Sequence, residues 1–179
     1  MIVKTSRSFM DPKTSQQHPL QPTLRSRLQK AGDIALLAVG SELRGDDGVA
    51  LRVADLLEAN ASKPSNLHVF VGTTAPENCT GPIRQLKPTH LLIIDAADLG
   101  KAPGTIEILD TSHLAGVSFC THALPLSVIV DYILSACPGC DVVMLGIQPA
   151  RLEFGRALTA PAEAAAQDLA VLLSSAIGG

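Results

Sequence analysis

The chemistry in this chain concentrates at three places. The stretch Gly40-Ser-Glu-Leu-Arg-Gly45-Asp46-Asp47-Gly48 joins a continuous apolar run to an amphipathic one, so it reads as a glycine-rich loop between a strand and a helix. Its glycine spacing mimics a P-loop, but the Lys and Ser/Thr that would neutralise phosphate and hold magnesium are replaced by Asp46 and Asp47. Two carboxylates repel a polyphosphate and attract a cation, and the G-x-G-x-x-G dinucleotide spacing is also absent. Two adjacent side chains seldom point into one site, so one aspartate is expected to serve elsewhere: Asp46 is balanced between helix cap and ligand. The second place is Asp95, after the apolar run Leu91-Leu-Ile-Ile94. A carboxylate at the carboxyl end of a buried parallel strand lies where open α/β folds place their ligands. The third is His122, just ahead of an apolar helical stretch that starts near Leu124. Asp47, Asp95 and His122 together form a hard three-ligand set suited to a divalent ion such as nickel or zinc, with positions left open for substrate or water.

The rivals are weaker. His68 falls inside a strand and His90 at a strand start, where structural roles are expected, and His113 sits among polar loop residues. Cys120 lies two residues before His122, but neighbouring carboxylates raise a thiol pKa, so a Cys–His nucleophile is disfavoured. The C-x-x-C of Cys137 and Cys140 ends a helix and lacks the N-terminal dipole that activates such thiols. It reads as a Pro-Gly turn flanked by incidental cysteines, ahead of a second metal site shared with Cys79. Without a secretion signal, four cysteines fit reduced thiols.

The elements that must position these residues follow an α/β rhythm. Strands are expected at Ile34–Val39, Leu67–Val71, Leu91–Ile94 (stopping at Asp95), Thr105–Leu109 and Val142–Ile147, and helices at Asp47–Asn60, Gly81–Leu86, Leu124–Cys137 and from Pro161 onward. Only ten residues separate the third and fourth strands, too few for a parallel crossover, so the fourth is expected antiparallel at an edge or in a hairpin. The fold class is a three-layer α/β/α sandwich around a twisted, mostly parallel mixed sheet. With 179 residues, 46% of them hydrophobic, the chain can bury one sizeable core. Five aromatic residues without Trp are too few for base-stacking platforms, which argues against a nucleic-acid role, and no apolar run is long enough to cross a membrane. The net charge of -3 hides a basic lead: Lys4, Arg7, Lys13, Arg25, Arg27 and Lys30 stand against Asp11 alone. Residues 1–31 accordingly read as a flexible basic extension and 32–179 as the domain.

Leu36–Gly48, Gly72-Thr-Thr-Ala-Pro-Glu-Asn78, Leu91–Gly100, Ala102-Pro-Gly104, Thr121-His-Ala-Leu-Pro-Leu126 and Leu145-Gly-Ile-Gln-Pro149 resemble, in order, the sequence blocks of the NiFe-hydrogenase maturation endopeptidases. The resemblance runs from about residue 34 to 175 and is strongest to the type that processes the hydrogenase 3 (formate hydrogenlyase) large subunit. It implies a cytoplasmic, monomeric endopeptidase that removes the C-terminal extension of a large-subunit precursor after nickel insertion. Nickel would arrive with the precursor, and no organic cofactor is implied. Matched block by block, the family's nickel-contacting residues fall on Asp47, Asp95 and His122. Ser41 departs from the family's usual Asn, and the basic lead and the C-x-x-C lie outside its pattern. A nickel-binding chaperone or carrier without peptidase activity is the alternative that shares these ligands.

Overall fold

The computed structural model describes residues 18–109 and 126–178. The elements run α1 (Gln21–Leu28), β1 (Ile34–Val39), a 3-10 turn at Gly45–Gly48, α2 (Val49–Glu58), β2 (Leu67–Thr73), a second 3-10 turn at Pro76–Cys79, α3 (Thr80–Leu86), β3 (His90–Ala96), β4 (Ile106–Leu109), α4 (Leu126–Ala136), β5 (Asp141–Ile147) and α5 (Ala160–Gly178). The five strands form one sheet in the order β2-β1-β3-β5-β4. β2, β1, β3 and β5 are parallel, and β4 pairs antiparallel with β5 at the edge. The short 97–105 connection explains β4: it can turn the chain back but cannot carry it across the sheet.

Strand alternation divides the core into two layers. Ile34, Leu36 and Ala38 of β1, Leu92 and Ile94 of β3, and Val143, Leu145 and Ile147 of β5 face α1, α2 and α5. Ala35, Leu37 and Val39, Leu91 and Ile93, and Met144 face α3 and α4. Every residue of β1 is buried, which is why it reads as an unbroken apolar run and not as an alternating one. Asp95 shares the parity of Leu91 and Ile93, so its side chain belongs to the face carrying α3 and α4.

The expected boundary at residue 31 is corrected over the last part of the lead. Residues 21–28 form α1, with Pro22 in its first turn and Leu24 and Leu28 fully buried against α5. Two leucines at i, i+4 are a thin apolar signal, yet burying each contributes roughly 1.5–3 kcal/mol. The basic character is used as well: Arg27 donates through Nε to Asp141 Oδ2 at 2.9 Å and through Nη2 to Asp141 Oδ1, fastening α1 to the start of β5. Residues 1–17 lie outside the described residues. Among those described, no helix is long and apolar enough to cross a membrane.

α2 and α5 are joined by a forked contact in which Arg52 Nε donates to both carboxylate oxygens of Glu163 at 3.0 and 3.1 Å and Nη2 to Oε1 at 2.9 Å. The Arg52 hydrogen bonds, then that from Gln167, hold the Glu163 carboxyl below its ordinary value of 4.5. A lowered carboxyl pKa gives stability that is present above the unfolded value and lost as pH falls through the folded one. Glu163→Gln should therefore lower the denaturation midpoint at pH 7 and shrink the loss between pH 7 and pH 3. Denaturant titrations of both proteins at the two pH values check this; an unchanged acid loss would show that the fork adds nothing.

Candidate active site

Because β1, β2, β3 and β5 are parallel, their carboxyl ends share one edge of the sheet. β1 connects to β2 on one side while β3 lies on its other side, so the crevice between the ends of β1 and β3 is the topological switch point, the position at which open α/β sheets bind ligands. Asp47 follows β1 and Asp95 lies in β3 one residue before its end, and both are fully buried. Two of the three expected site residues therefore flank the switch point. His122 lies outside the described residues. It precedes α4 by four positions in the chain. α4 runs back from the carboxyl edge to the start of β5, so its first residue, Leu126, is at the edge of the two aspartates and packs on the face to which Asp95 belongs. Among the described residues no three His, Cys, Asp or Glu side chains group to hold a metal ion.

Asp47 is placed by backbone contacts that only glycine permits. Gly40 follows β1 at φ +138°, and a Cβ there would stand 1.9 Å from the Asp47 carbonyl oxygen. Ser41 N–H donates to that same oxygen at 3.3 Å, and Gly40 N–H donates to Thr73 O at 3.0 Å. The turn carrying Asp47 is thus pressed onto the end of β1, which is itself tied to the end of β2. Where Val39 pairs with Thr73 the register slips by one residue. Thr73 sits at φ +46°, an unusual conformation for a β-branched residue.

Asp46 is neither a helix cap nor a partner of Asp47 in the crevice. The helix that follows has no side-chain cap, and the fully buried Asp46 carboxylate instead reaches across to the segment between β5 and α5. Its Oδ2 accepts from Ala150 N–H at 2.8 Å, Arg151 N–H at 3.3 Å and Thr159 Oγ1 at 2.9 Å, and its Oδ1 accepts from Thr159 N–H at 2.7 Å. Backbone bonds reinforce the latch: Asp46 N–H to Arg151 O and Gly45 N–H to Arg156 O, both 3.1 Å. A buried charge is tolerable because its lone pairs are met in this way.

Gln148, quoted in the sequence block but given no role there, secures the other rim. Oε1 accepts from Leu99 N–H at 2.7 Å and Lys101 N–H at 3.2 Å, while Nε2 donates to Pro149 O at 3.2 Å and Asp98 Oδ1 at 3.4 Å. All four hydrogen-bonding capacities of the amide are engaged, and the loop that leaves β3 just after Asp95 is held to the end of β5. Gly146 lies in register with Asp95. A Cβ on Gly146 would come within 2.9 Å of Leu109 Cδ1 and 3.1 Å of Ala97 Cβ, so β5 leaves room beside Asp95 that these apolar groups take up.

The rival residues are elsewhere. His68 Nε2 lies 2.9 Å from Asp33 Oδ1, and His90 bonds Thr89 Oγ1 at 2.9 Å with Asp141 at 3.8 Å, all at the amino edge opposite the crevice. Their structural reading stands. Cys137 is packed in the α3/α4 layer, and burial pushes the Cys140 thiol up to about 11, far from a nucleophile's range. His113 and Cys120 lie outside the described residues.

Two substitutions probe this scaffold. Asp46→Asn must turn an NH2 group toward one of four donors, so it should destabilise the fold by on the order of 3 kcal/mol and speed amide exchange at Ala150, Arg151 and Thr159 while β3 stays protected. Denaturation with hydrogen exchange checks this, and unchanged exchange at those amides would count against the latch. Asn tolerates positive φ far better than a β-branched residue, so Thr73→Asn should gain about 1 kcal/mol, which is roughly 2–4 °C in the melting midpoint.

Residues 51–175 match the family model described as hydrogenase maturation protease. The hydrogenase 3 maturation protease of Escherichia coli K12 is 39% identical over 127 residues, covering 70% of this chain and 79% of the relative. The crystal structure of the NiFe-hydrogenase maturation protease HycI from Thermococcus kodakarensis superposes with a TM-score of 0.80 at 26% identity, covering 88% of this chain and 99% of that one. The solution structure of the Escherichia coli endopeptidase HycI gives a TM-score of 0.72 at 36% identity, over 80% of this chain and 90% of the other. With the family model spanning more than half of the sequence and the fold shared along nearly all of its described length, the chain belongs to the hydrogenase maturation protease family and is a peptidase.

Proposed function

We propose that this peptidase removes the C-terminal extension of a NiFe-hydrogenase large-subunit precursor after nickel has been inserted, and that it recognises the bound nickel through Asp47, Asp95 and His122. The observation that carries the reading is the placement of two buried carboxylates on either side of the switch point. Burial lowers the effective dielectric and strengthens the pull on a cation. It also means that the rim has to yield before a metal held on another protein can touch either side chain.

Nickel is here part of the substrate. Two carboxylates and an imidazole are harder donors than thiolates, so the site suits contact with an ion already held by sulfur and is poorly suited to extracting it. Alone, the two anions repel each other, and the precursor's own groups complete the coordination. Once in contact, the ion either polarises the scissile carbonyl as a Lewis acid or docks the substrate while a carboxylate activates water. In both cases a precursor without nickel offers the carboxylates no cation, and its extension stays attached.

The test incubates nickel-loaded and nickel-free precursor with wild-type protein and with Asp47→Asn, Asp95→Asn and His122→Ala, and follows precursor length. Wild-type protein should shorten only the loaded precursor, and each substitution should lower the rate at least about 100-fold with circular dichroism unchanged. Equal cleavage of both precursors would overturn nickel recognition. A precursor of unchanged length, combined with tight stoichiometric nickel binding by the free protein in calorimetry, would favour the carrier.

A further inference from the structure

Leu43 and Phe154 are 61% and 75% exposed, and among the described residues large apolar side chains are also exposed at Val71, Val128, Tyr132 and Val171. Single exposed hydrophobics need no explanation. Leu43 and Phe154 differ because the fold joins the backbones that carry them: Gly155 N–H donates to Leu43 O at 2.7 Å, bringing the loop after β1 against the loop after β5. Both loops leave carboxyl strand ends, the edge on which Asp47 and Asp95 lie. Leu43 is four residues before Asp47 in the chain. The two loops are fastened by the four hydrogen bonds to the Asp46 carboxylate and by the Gly45 bond to Arg156 O.

Gly45, at φ +59°, lets this approach happen, since a Cβ there would stand 3.0 Å from Arg151 O. A buried carboxylate and a glycine in the left-handed region thus keep an aliphatic and an aromatic side chain in water beside the crevice. Nothing in folding requires that exposure, whereas a binding surface gains from contacts already in place, because less entropy is lost on association. Arg151, Glu153 and Arg156, close to Phe154 in the chain, are exposed as well, so the loop pair offers water the mix of apolar and charged side chains found on protein-contacting surfaces.

We propose that Leu43 and Phe154 are specificity-determining residues that grip the precursor polypeptide next to the bond to be cut, so that precursor choice is made on the loop ridge and metal inspection in the crevice. This rests on the reading of the protein as a processing peptidase. Leu43→Ser, Phe154→Ser and the double variant, with Phe154→Leu as the conservative variant and Val171→Ser as a remote control, should be compared with wild type for nickel-loaded precursor binding and for cleavage kcat and KM. The double variant should raise both Kd and KM at least tenfold at nearly unchanged kcat, with Phe154→Leu restoring most of the affinity and Val171→Ser matching wild type. Wild-type Kd and KM in the double variant would overturn the proposal, as would an equal rise in Val171→Ser. A shift of wild type from dimer to monomer in the double variant, seen by sedimentation, would assign the ridge to self-association instead. Wild-type binding without any shortening of the precursor would refute the peptidase reading and leave the contact standing.

Discussion

The Asp46 carboxylate is the contact on which the rest of the candidate site depends. A buried anion that accepts four hydrogen bonds from a segment more than a hundred residues away has little freedom to shift. By fixing its own turn, it fixes the backbone of the next residue. Asp47 is pinned from one side by this latch and from the other by Gly40, whose missing Cβ admits the Asp47 carbonyl. A loop at a sheet edge has no hydrophobic core of its own, so its position has to come from polar bonds and close backbone contact. Gln148 does the same for the loop beyond Asp95, using every hydrogen-bonding group of its amide.

The two ends of the sheet are specialised differently. At the amino edge, Arg27 and Asp141 and the pair His68 and Asp33 meet as partly exposed partners, with the more buried His90 beside Asp141, and such partly solvated charge pairs contribute modestly. At the carboxyl edge, Asp46, Asp47 and Asp95 are withdrawn from water, where charge is costly to bury and strong in its effects. The strand directions cause this division, because all four parallel strands release their connecting loops at the same end.

Much of the architecture was legible because it follows from local chemistry. The unbroken apolar run of β1, the antiparallel β4 forced by a short connection, and the helix expected from Pro161 onward all appear in the structure as the sequence implies. The placement of Asp47 and Asp95 at one edge was legible too, since each terminates or follows a strand-like run. What remained hidden depends on contacts far apart in the chain. α1 carries only two core leucines and takes its position from α5 and Asp141. The role of Asp46 was open because its donors, Ala150, Arg151 and Thr159, lie in a polar segment that no periodicity connects to it. Asp95 sits inside β3, one residue before its end, because the pairing with β5 runs on through Gly146 and Ile147, opposite Asp95 and Ala96.

The adjacent aspartates lie in one 3-10 turn and are placed differently by it. In a 3-10 turn successive side chains diverge by about 120°, so Asp46 can point toward the 150–159 segment while Asp47 takes a different direction beside β1. The Asp46 carboxylate, engaged by four donors, has its lone pairs committed to the rim. The latch also separates the demands of stability from those of recognition, since the hydrogen bonds that hold the rim are made by a residue other than the one proposed to meet the metal.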